Sequence, residues 1–436
     1  MEKNRRSEII ELINREVVPA LGCTEPAAVA LCVAKVTEVL GELPTKIDVS
    51  LSGNMLKNAM GVGIPGTGMI GLPIAIALGA LIGKSEYGLE VLKDVDPESV
   101  EEGKKYISEN RINISHFKDA PSILHIDVVC EGSDNNSAKG VISGSHTNFI
   151  FLENNGKVLL EKKDSNASGC EDSASHSKDT NEDPELDMAT VYEFATTAPF
   201  DEIKFILEAK RLNKAAAELA FNNNYGHSLG YTMKKKGTPL FGDSVLSHII
   251  SYTSAACDAR MGGANIAVMS NSGSGNQGIC ATMPVVSFAE DINADEETLA
   301  RALILSHLTS IYIKQSLGRL SALCGCVVAS TGASSGIVYL MGGGYEEICA
   351  SVKNMIANIT GMICDGAKPS CSLKISSGVG TALMSAMLAM EHKCVTEAEG
   401  IICDDVDRSI HNLTSIGREA MQATDRLVLH IMTNKG

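Results

Sequence analysis

Cys364 and Cys371 stand seven residues apart in GMICDGAKPSC, with Gly366 and Pro369 between them. That glycine and proline force a turn, so the loop can fold back and aim both sulfurs at one metal. Cys324 in SALCGC, or its neighbour Cys326, can supply a third thiolate. Three thiolates are one short of the usual four of an iron–sulfur cluster. A cluster with three protein ligands leaves one iron open to act as a Lewis acid on substrate. The same three thiolates also suit zinc. Cys23 differs in kind. It immediately precedes Thr24-Glu25-Pro26, where a helix is predicted to begin, and the partial positive charge of a helix N-terminus favours thiolate. A thiolate there is a nucleophile or a proton acceptor. The plain alternative is a small residue at a turn.

The segment SNSGSGNQG presents Ser272, Ser274, Asn276 and Gln277 among glycines whose backbone N–H groups are nearly unhindered. Such a loop can form an anion-binding nest, and a small carboxylate is its natural ligand. A tight connection between helices is the alternative. SGNMLKNAMGVGIPGTG adds Asn54 and Lys57, and GSHTN adds His146. Two windows, Gly66–Gly71 and Gly273–Gly278, literally match G-x-G-x-x-G. Neither carries the following strand with an acidic end that a dinucleotide fold requires, so no nucleotide is expected.

The elements that must position these residues are legible in outline. Residues 5 to 20 have helical periodicity, and a second helix is expected from Pro26 to Leu40 after the break at LGCTEP. KIDVSLS and ILHIDVVC read as strands, residues 97 to 110 as a helix, and VISGSHTNFIFLENNGKVLLEKK as two strands around Asn154-Asn155-Gly156. The apolar run Met69 to Gly83 is 15 residues long, short of the roughly 20 a membrane span needs, and reads as a buried helix. Residues 164 to 187 are polar and acidic, a solvated linker holding Cys170 and His176. From residue 188 onward the pattern is almost wholly helical. The expected class is therefore α+β: residues 1–45 are helices joining a helical lobe at 188–436, and residues 46–187 form an inserted α/β lobe.

Composition narrows the function. The chain has 436 residues with 37 Lys plus Arg against 53 Asp plus Glu, a net charge of −16. That balance, with no Trp and 4% aromatics, argues against nucleic acid or anionic membrane as a partner. Thirteen cysteines cannot all pair, and the charged N-terminus carries no apolar leader, so the cytoplasm is the expected compartment.

Taken together, LGCTEP, PGTGMIGLPIA, GSHTN, TSAACDARMGG, MSNSGSGNQGI, LSALC and GMICDGAKPSC followed by LK resemble the L-cysteine desulfidase family, related to the iron–sulfur L-serine dehydratases. The resemblance runs from about residue 15 to residue 430. It implies a helical catalytic lobe holding a [4Fe-4S] cluster and an α/β lobe that closes over substrate. It places the three cluster cysteines at Cys324, Cys364 and Cys371 and the base at Cys23. His146 matches a Ser-His-Thr signature of the dehydratases. Asn54, Lys57, His146, Ser272, Ser274, Asn276 and Gln277 are then the expected substrate contacts. The implied reaction is elimination of sulfide from L-cysteine, or of water from L-serine, without pyridoxal phosphate. The assembly considered is a homodimer.

Overall fold

The computed structural model describes residues 1–162, 183–234, 242–318 and 321–435. The elements run α1 Lys3–Glu16, β1 Pro19–Leu21, α2 Thr24–Leu40, β2 Lys46–Leu51, α3 Gly53–Ala59, α4 Leu72–Leu81, α5 Pro97–Ser108, β3 Ile112–His116, β4 His125–Glu131, β5 Ser137–Ser143, β6 Phe149–Asn154 and β7 Lys157–Glu161. There follow α6 Met188–Thr197, α7 Phe200–Ile203, α8 Leu207–Asn222, α9 Leu229–Lys234, α10 Val245–Met261, β8 Ala267–Met269, α11 Gly275–Asp291 and α12 Glu296–Leu317. The chain ends with α13 Gly325–Leu340, α14 Tyr345–Ile359, α15 Cys371–Met390, α16 Val406–Ser415 and α17 Gln422–Thr433. This is the expected α+β class.

Among the described residues, one sheet takes the order β3-β2-β4-β5-β6-β7, with β2 and β3 parallel and the other neighbours antiparallel. Alternation decides its faces. Ile47, Val49 and Leu51 of β2 point inward with Ile126, Val128 and Cys130 of β4. The helix α2 covers that face, and α4 packs on α2 so closely that a side chain at Gly79 would strike the carbonyl of Ala30. The apolar run expected to form a buried helix does so as α4.

The second core gathers α1 and the helices from α6 to α16. The helix α13 lies at its centre and is fully buried over most of its length. Small residues permit this: Gly332 and Gly336 face the backbone of α12 at Ser306 and Ala302. One helix among the described residues, α15, is long and apolar enough to cross a membrane, and half of that stretch is buried in the protein.

The structure departs from expectation in several places. The helix α2 packs in the sheet's core, whereas residues 1–45 were grouped with the helical lobe; of that stretch, α1 through Ile9, Leu12 and Ile13, and then Val17 and Cys23, join the helical core. The changeover falls at β1, which pairs with β8 of the helical lobe. The strand β3 was not anticipated, and GVISGS proved to belong to a separate strand, β5. The last helix is broken by a π turn at Ile416–Ala420. Most of the acidic segment, with Cys170 and His176, lies outside the described residues.

The lobes meet through glycine. Gly63 N–H donates to Met261 O at 2.9 Å and Gly66 N–H to Gly263 O at 3.2 Å. A side chain at Gly63 would collide with the backbone of Met261, Gly262 and Gly263. The substitution Gly63→Ala should therefore destabilise the protein by about 1–3 kcal/mol, the usual cost of overpacking. Gly361, which has open space around it, should accept Ala within about 0.5 kcal/mol. Urea unfolding of both variants checks this, and equal midpoints would show that the seam is not tight.

Candidate active site

The glycine loop after β8 is held by a buried polar network. Ser270 N–H and Ser272 N–H donate to Val18 O and Glu16 O, both at 2.9 Å, which ties the loop to the end of α1. Ser272 and Gly273 turn through the left-handed region at φ 48° and 77°. Ser274 then caps α11, its hydroxyl accepting from Gln277 N–H at 3.3 Å. Below the loop, Asn271 Oδ1 accepts from Gln277 Nε2 at 3.0 Å and from Ser272 Oγ at 2.9 Å. Asn271 Nδ2 donates to His307 Nδ1 at 3.1 Å, and His307 Nε2 meets Thr282 Oγ1 at 3.0 Å. Burial pushes the His307 pKa down to about 3, so the ring is neutral. Because Nδ1 accepts, this network assigns the ring proton to Nε2.

Arg260, near the end of α10, joins this loop to Cys23. Its Nη1 donates to Asn276 Oδ1 and its Nη2 to Gly22 O, each at 3.0 Å. Asn276 Oδ1 also accepts from Cys257 Sγ at 3.7 Å, and its Nδ2 donates to Met261 Sδ at 3.2 Å. Cys23 stands at the N-cap of α2. Its surroundings differ from the expected thiolate setting: burial raises the thiol pKa to about 11, while the Arg260 guanidinium pulls it down. The thiol is the resting form here, because desolvation outweighs the helix terminus.

The other cysteines gather at two helix starts. Leu323 and Ile363 form an antiparallel bridge, with Cys324 N–H donating to Met362 O at 3.0 Å and Cys364 N–H to Ala322 O at 2.6 Å. This pairing puts Cys324 and Cys364 on one face of the bridge as diagonal neighbours. Cys324 caps α13 and Cys371 opens α15. The thiols feel one another: Cys364 and Cys371 raise the pKa of Cys324, and Cys371 raises that of Cys23. Lys368 and Lys374 both pair with Asp365, and both favour the thiolate of Cys371. Every described cysteine is a free thiol.

Among the described residues, no three His, Cys, Asp or Glu side chains converge on a point that a single metal ion could fill. Zinc bound by thiolates at about 2.3 Å needs such convergence, so the arrangement does not suit that alternative. An iron–sulfur cluster takes each thiolate on a different iron and so accepts sulfurs spread more widely. Two thiols at helix N-termini, Cys324 and Cys371, with Cys364 beside the bridge and two flanking lysines, are a donor set suited to an anionic thiolate-bound group.

The remaining expected contacts are placed unequally. Ser272 and Ser274 are half-buried at the loop's surface, whereas Gln277 is buried and the Asn276 amide is engaged inside. Asn54 is half-buried in α3, and His146 is half-buried in the β5–β6 connection. Lys57 is buried and ion-paired with Asp425 of α17. Gly366 presses on the Lys57 carbonyl, where any side chain would clash, so α3 abuts the loop between Cys364 and Cys371. Sequence reasoning missed Arg260, Asn271, His307 and Asp425. Arg260 left a signal, being the only Lys or Arg in α10.

Cys23, the start of α11 and the buried Arg260 guanidinium thus lie close together near the seam between the lobes. A family model described as "Serine dehydratase alpha chain" matches residues 86–430, and the chain belongs to that family, a lyase family whose members generally bind iron–sulfur clusters. The match includes Cys324, Cys364 and Cys371 and begins after Cys23, Asn54 and Lys57. A UPF0597 protein of Phocaeicola vulgatus is 64% identical over 435 residues, covering 99% of each chain. One from Porphyromonas gingivalis is 54% identical with 100% of each chain covered, and one from Shewanella halifaxensis 44% with 98% of each.

His307→Ala would leave Asn271 and Thr282 without their buried partner, at a cost of about 2–4 kcal/mol. The pH dependence carries a sign. Between pH 6.5 and about 3 the unfolded chain binds a proton at His307 that the folded chain refuses. Stability from this group is full above pH 6.5 and falls below it by at most about 1.4 kcal/mol per pH unit. Urea unfolding of wild type and His307→Ala from pH 7 to pH 4 should show a shallower slope in the variant. Equal slopes would contradict a buried neutral imidazole.

Proposed function

We propose that this protein is an iron–sulfur-dependent lyase that eliminates sulfide from L-cysteine, yielding pyruvate, ammonia and sulfide. The reading is supported by Cys324 and Cys364 as diagonal neighbours across the Leu323–Ile363 bridge, with Cys324 and Cys371 at the starts of α13 and α15. Those three cysteines are the proposed holders of a [4Fe-4S] cluster. When bound, it supplies an open iron that accepts the departing sulfur as a Lewis acid.

The chain's own residues do the rest. Cys23 is the proposed acceptor of the Cα proton: burial keeps its thiol protonated at rest, and Arg260 is the cation beside it that favours the thiolate the step requires. Ser272 and Ser274, at the exposed face of a loop that His307 and Asn271 hold rigid, orient the substrate. The helical body is the proposed catalytic lobe, and the α/β lobe, seated on it through glycines, excludes water. Loss of the Cα proton and of the β-sulfur leaves aminoacrylate, which hydrolyses to pyruvate and ammonia. Free thiols throughout the described chain suit a reducing compartment such as the cytoplasm.

A second reading keeps the site and changes the leaving group: dehydration of L-serine. The family description favours it.

One anaerobic experiment separates the two. The protein is reconstituted with iron and sulfide, and pyruvate is measured from L-cysteine and L-serine, with sulfide from the first. Release of sulfide with pyruvate supports the desulfidase, and turnover of L-serine alone moves the assignment to the dehydratase. Cys23→Ala should abolish turnover, by about 10²-fold or more, while iron content stays. Cys364→Ser and Cys371→Ser should lose iron. Full iron in either would overturn that ligand assignment.

A further inference from the structure

Arg260 is a buried cation without an acid. Its side chain lies among the buried residues at 7% exposure. Arginine is almost never buried this far unless it is paired, because an isolated charge in the interior is costly. The partners of Arg260 are neutral: the Asn276 side-chain oxygen, the Gly22 carbonyl and the Cys23 thiol. Among the described residues, no carboxylate lies within ion-pair distance of it. Asp258, two positions before Arg260, accepts from Gly230 N–H at 3.0 Å through Oδ2 while its Oδ1 is buried without a hydrogen-bond partner, and Glu25 accepts from the Thr24 hydroxyl at 3.2 Å.

A second observation makes the deficit of negative charge larger. Arg260 Nε is buried with no hydrogen-bond partner. It lies against Gly275, the first residue of α11, where a side-chain carbon would collide with the guanidinium. The 17-residue helix α11 points its positive end at this cation. Its first backbone N–H groups are those a helix leaves unpaired. The guanidinium and the helix N-terminus thus lie directly against one another, two residues from the exposed Gly273.

We propose that Arg260, with the N-terminus of α11, is the receptor for the α-carboxylate of the amino-acid substrate. This rests on the reading of the site as an amino-acid lyase and assigns to Arg260 the charge that Lys57 was expected to supply. Lys57 is already satisfied by Asp425. The carboxylate completes the ion pair that the fold leaves open, and Asn276 sets the guanidinium's tilt from the other side. Binding through Arg260 also places the Cα of the substrate beside Cys23, because Gly22 accepts from the same guanidinium.

The test is direct binding to the full chain, with a ligand that cannot eliminate. L-alanine has the carboxylate and no leaving group, and L-alaninamide lacks the carboxylate. Isothermal titration is run on wild type, Arg260→Lys, Arg260→Gln and Asn276→Asp, each checked by circular dichroism. Wild type should bind L-alanine and not L-alaninamide. Arg260→Gln should lose about a hundredfold in affinity, and Arg260→Lys should keep part of it. Asn276→Asp brings a carboxylate to the guanidinium from within. It should raise the thermal midpoint and weaken L-alanine binding about tenfold, an opposition that a merely structural arginine would not produce. Equal affinity of wild type for acid and amide overturns the proposal. So does L-alanine affinity in Asn276→Asp, or in a folded Arg260→Gln, within about threefold of wild type. None of these measurements needs the cluster, so absent turnover in reconstituted wild type would sink the lyase reading while leaving the binding result to stand by itself.

Discussion

Peptide group meets peptide group where the two lobes join, and the site depends on that contact. Gly63 and Gly66 hydrogen-bond to the backbone at the end of α10, the carbonyl of Lys57 lies under Gly366, and Gly22 lies against the ring of Pro65. Loops carrying Cys23, Arg260 and Cys371 therefore all touch one short segment, residues 57 to 66, through positions without a side chain. Backbone bonds between such positions are short and leave little play. The placement of the Cys23 thiol at the edge of the helical core, beside the Arg260 guanidinium, is thus set largely by main-chain geometry.

Much of the architecture was legible because burial writes itself into periodicity. The helices from α6 to α16 lie in one large core, and their apolar faces repeat accordingly. What failed to read had physical reasons. The helix α2 is apolar nearly all round, so its pattern announces burial without saying in which core. The strand β3 is a half-buried edge strand, and its alternation is weak. Gly140 interrupts the pattern of β5 because Val36 of α2 presses where its side chain would be. The terminal helix looked continuous because a π turn keeps helical residues while changing direction.

The chemistry was legible where residue type alone restricts what a group can do. Cysteines around a glycine–proline turn stand out without any coordinates, and in the structure Cys324 and Cys371 stand at the starts of α13 and α15 while Cys364 lies beside the Leu323–Ile363 bridge. Residues that work by pairing do not stand out. Lys57 looked free until Asp425, 368 positions away, was found on it. Arg260 looked ordinary until its partners proved to be neutral. Asn276 and Gln277 were expected as substrate contacts, but they stand in the first turn of α11 with their amides engaged by Arg260 and Asn271. An inventory of partners exists only in three dimensions, so a missing or an occupied counter-charge is invisible in one.

The ion pair between Lys57 and Asp425 also ties together two stretches that are 368 positions apart. The helix α17 docks on α3, with Leu429 packed beside the core of the α/β lobe. That lobe is therefore held to the helical body at a second place, by a segment that follows the whole of that body in sequence. Loosening of α17 would leave the buried ammonium of Lys57 without its counter-charge, so the packing of one lobe carries an electrostatic penalty for the release of a helix far along the chain.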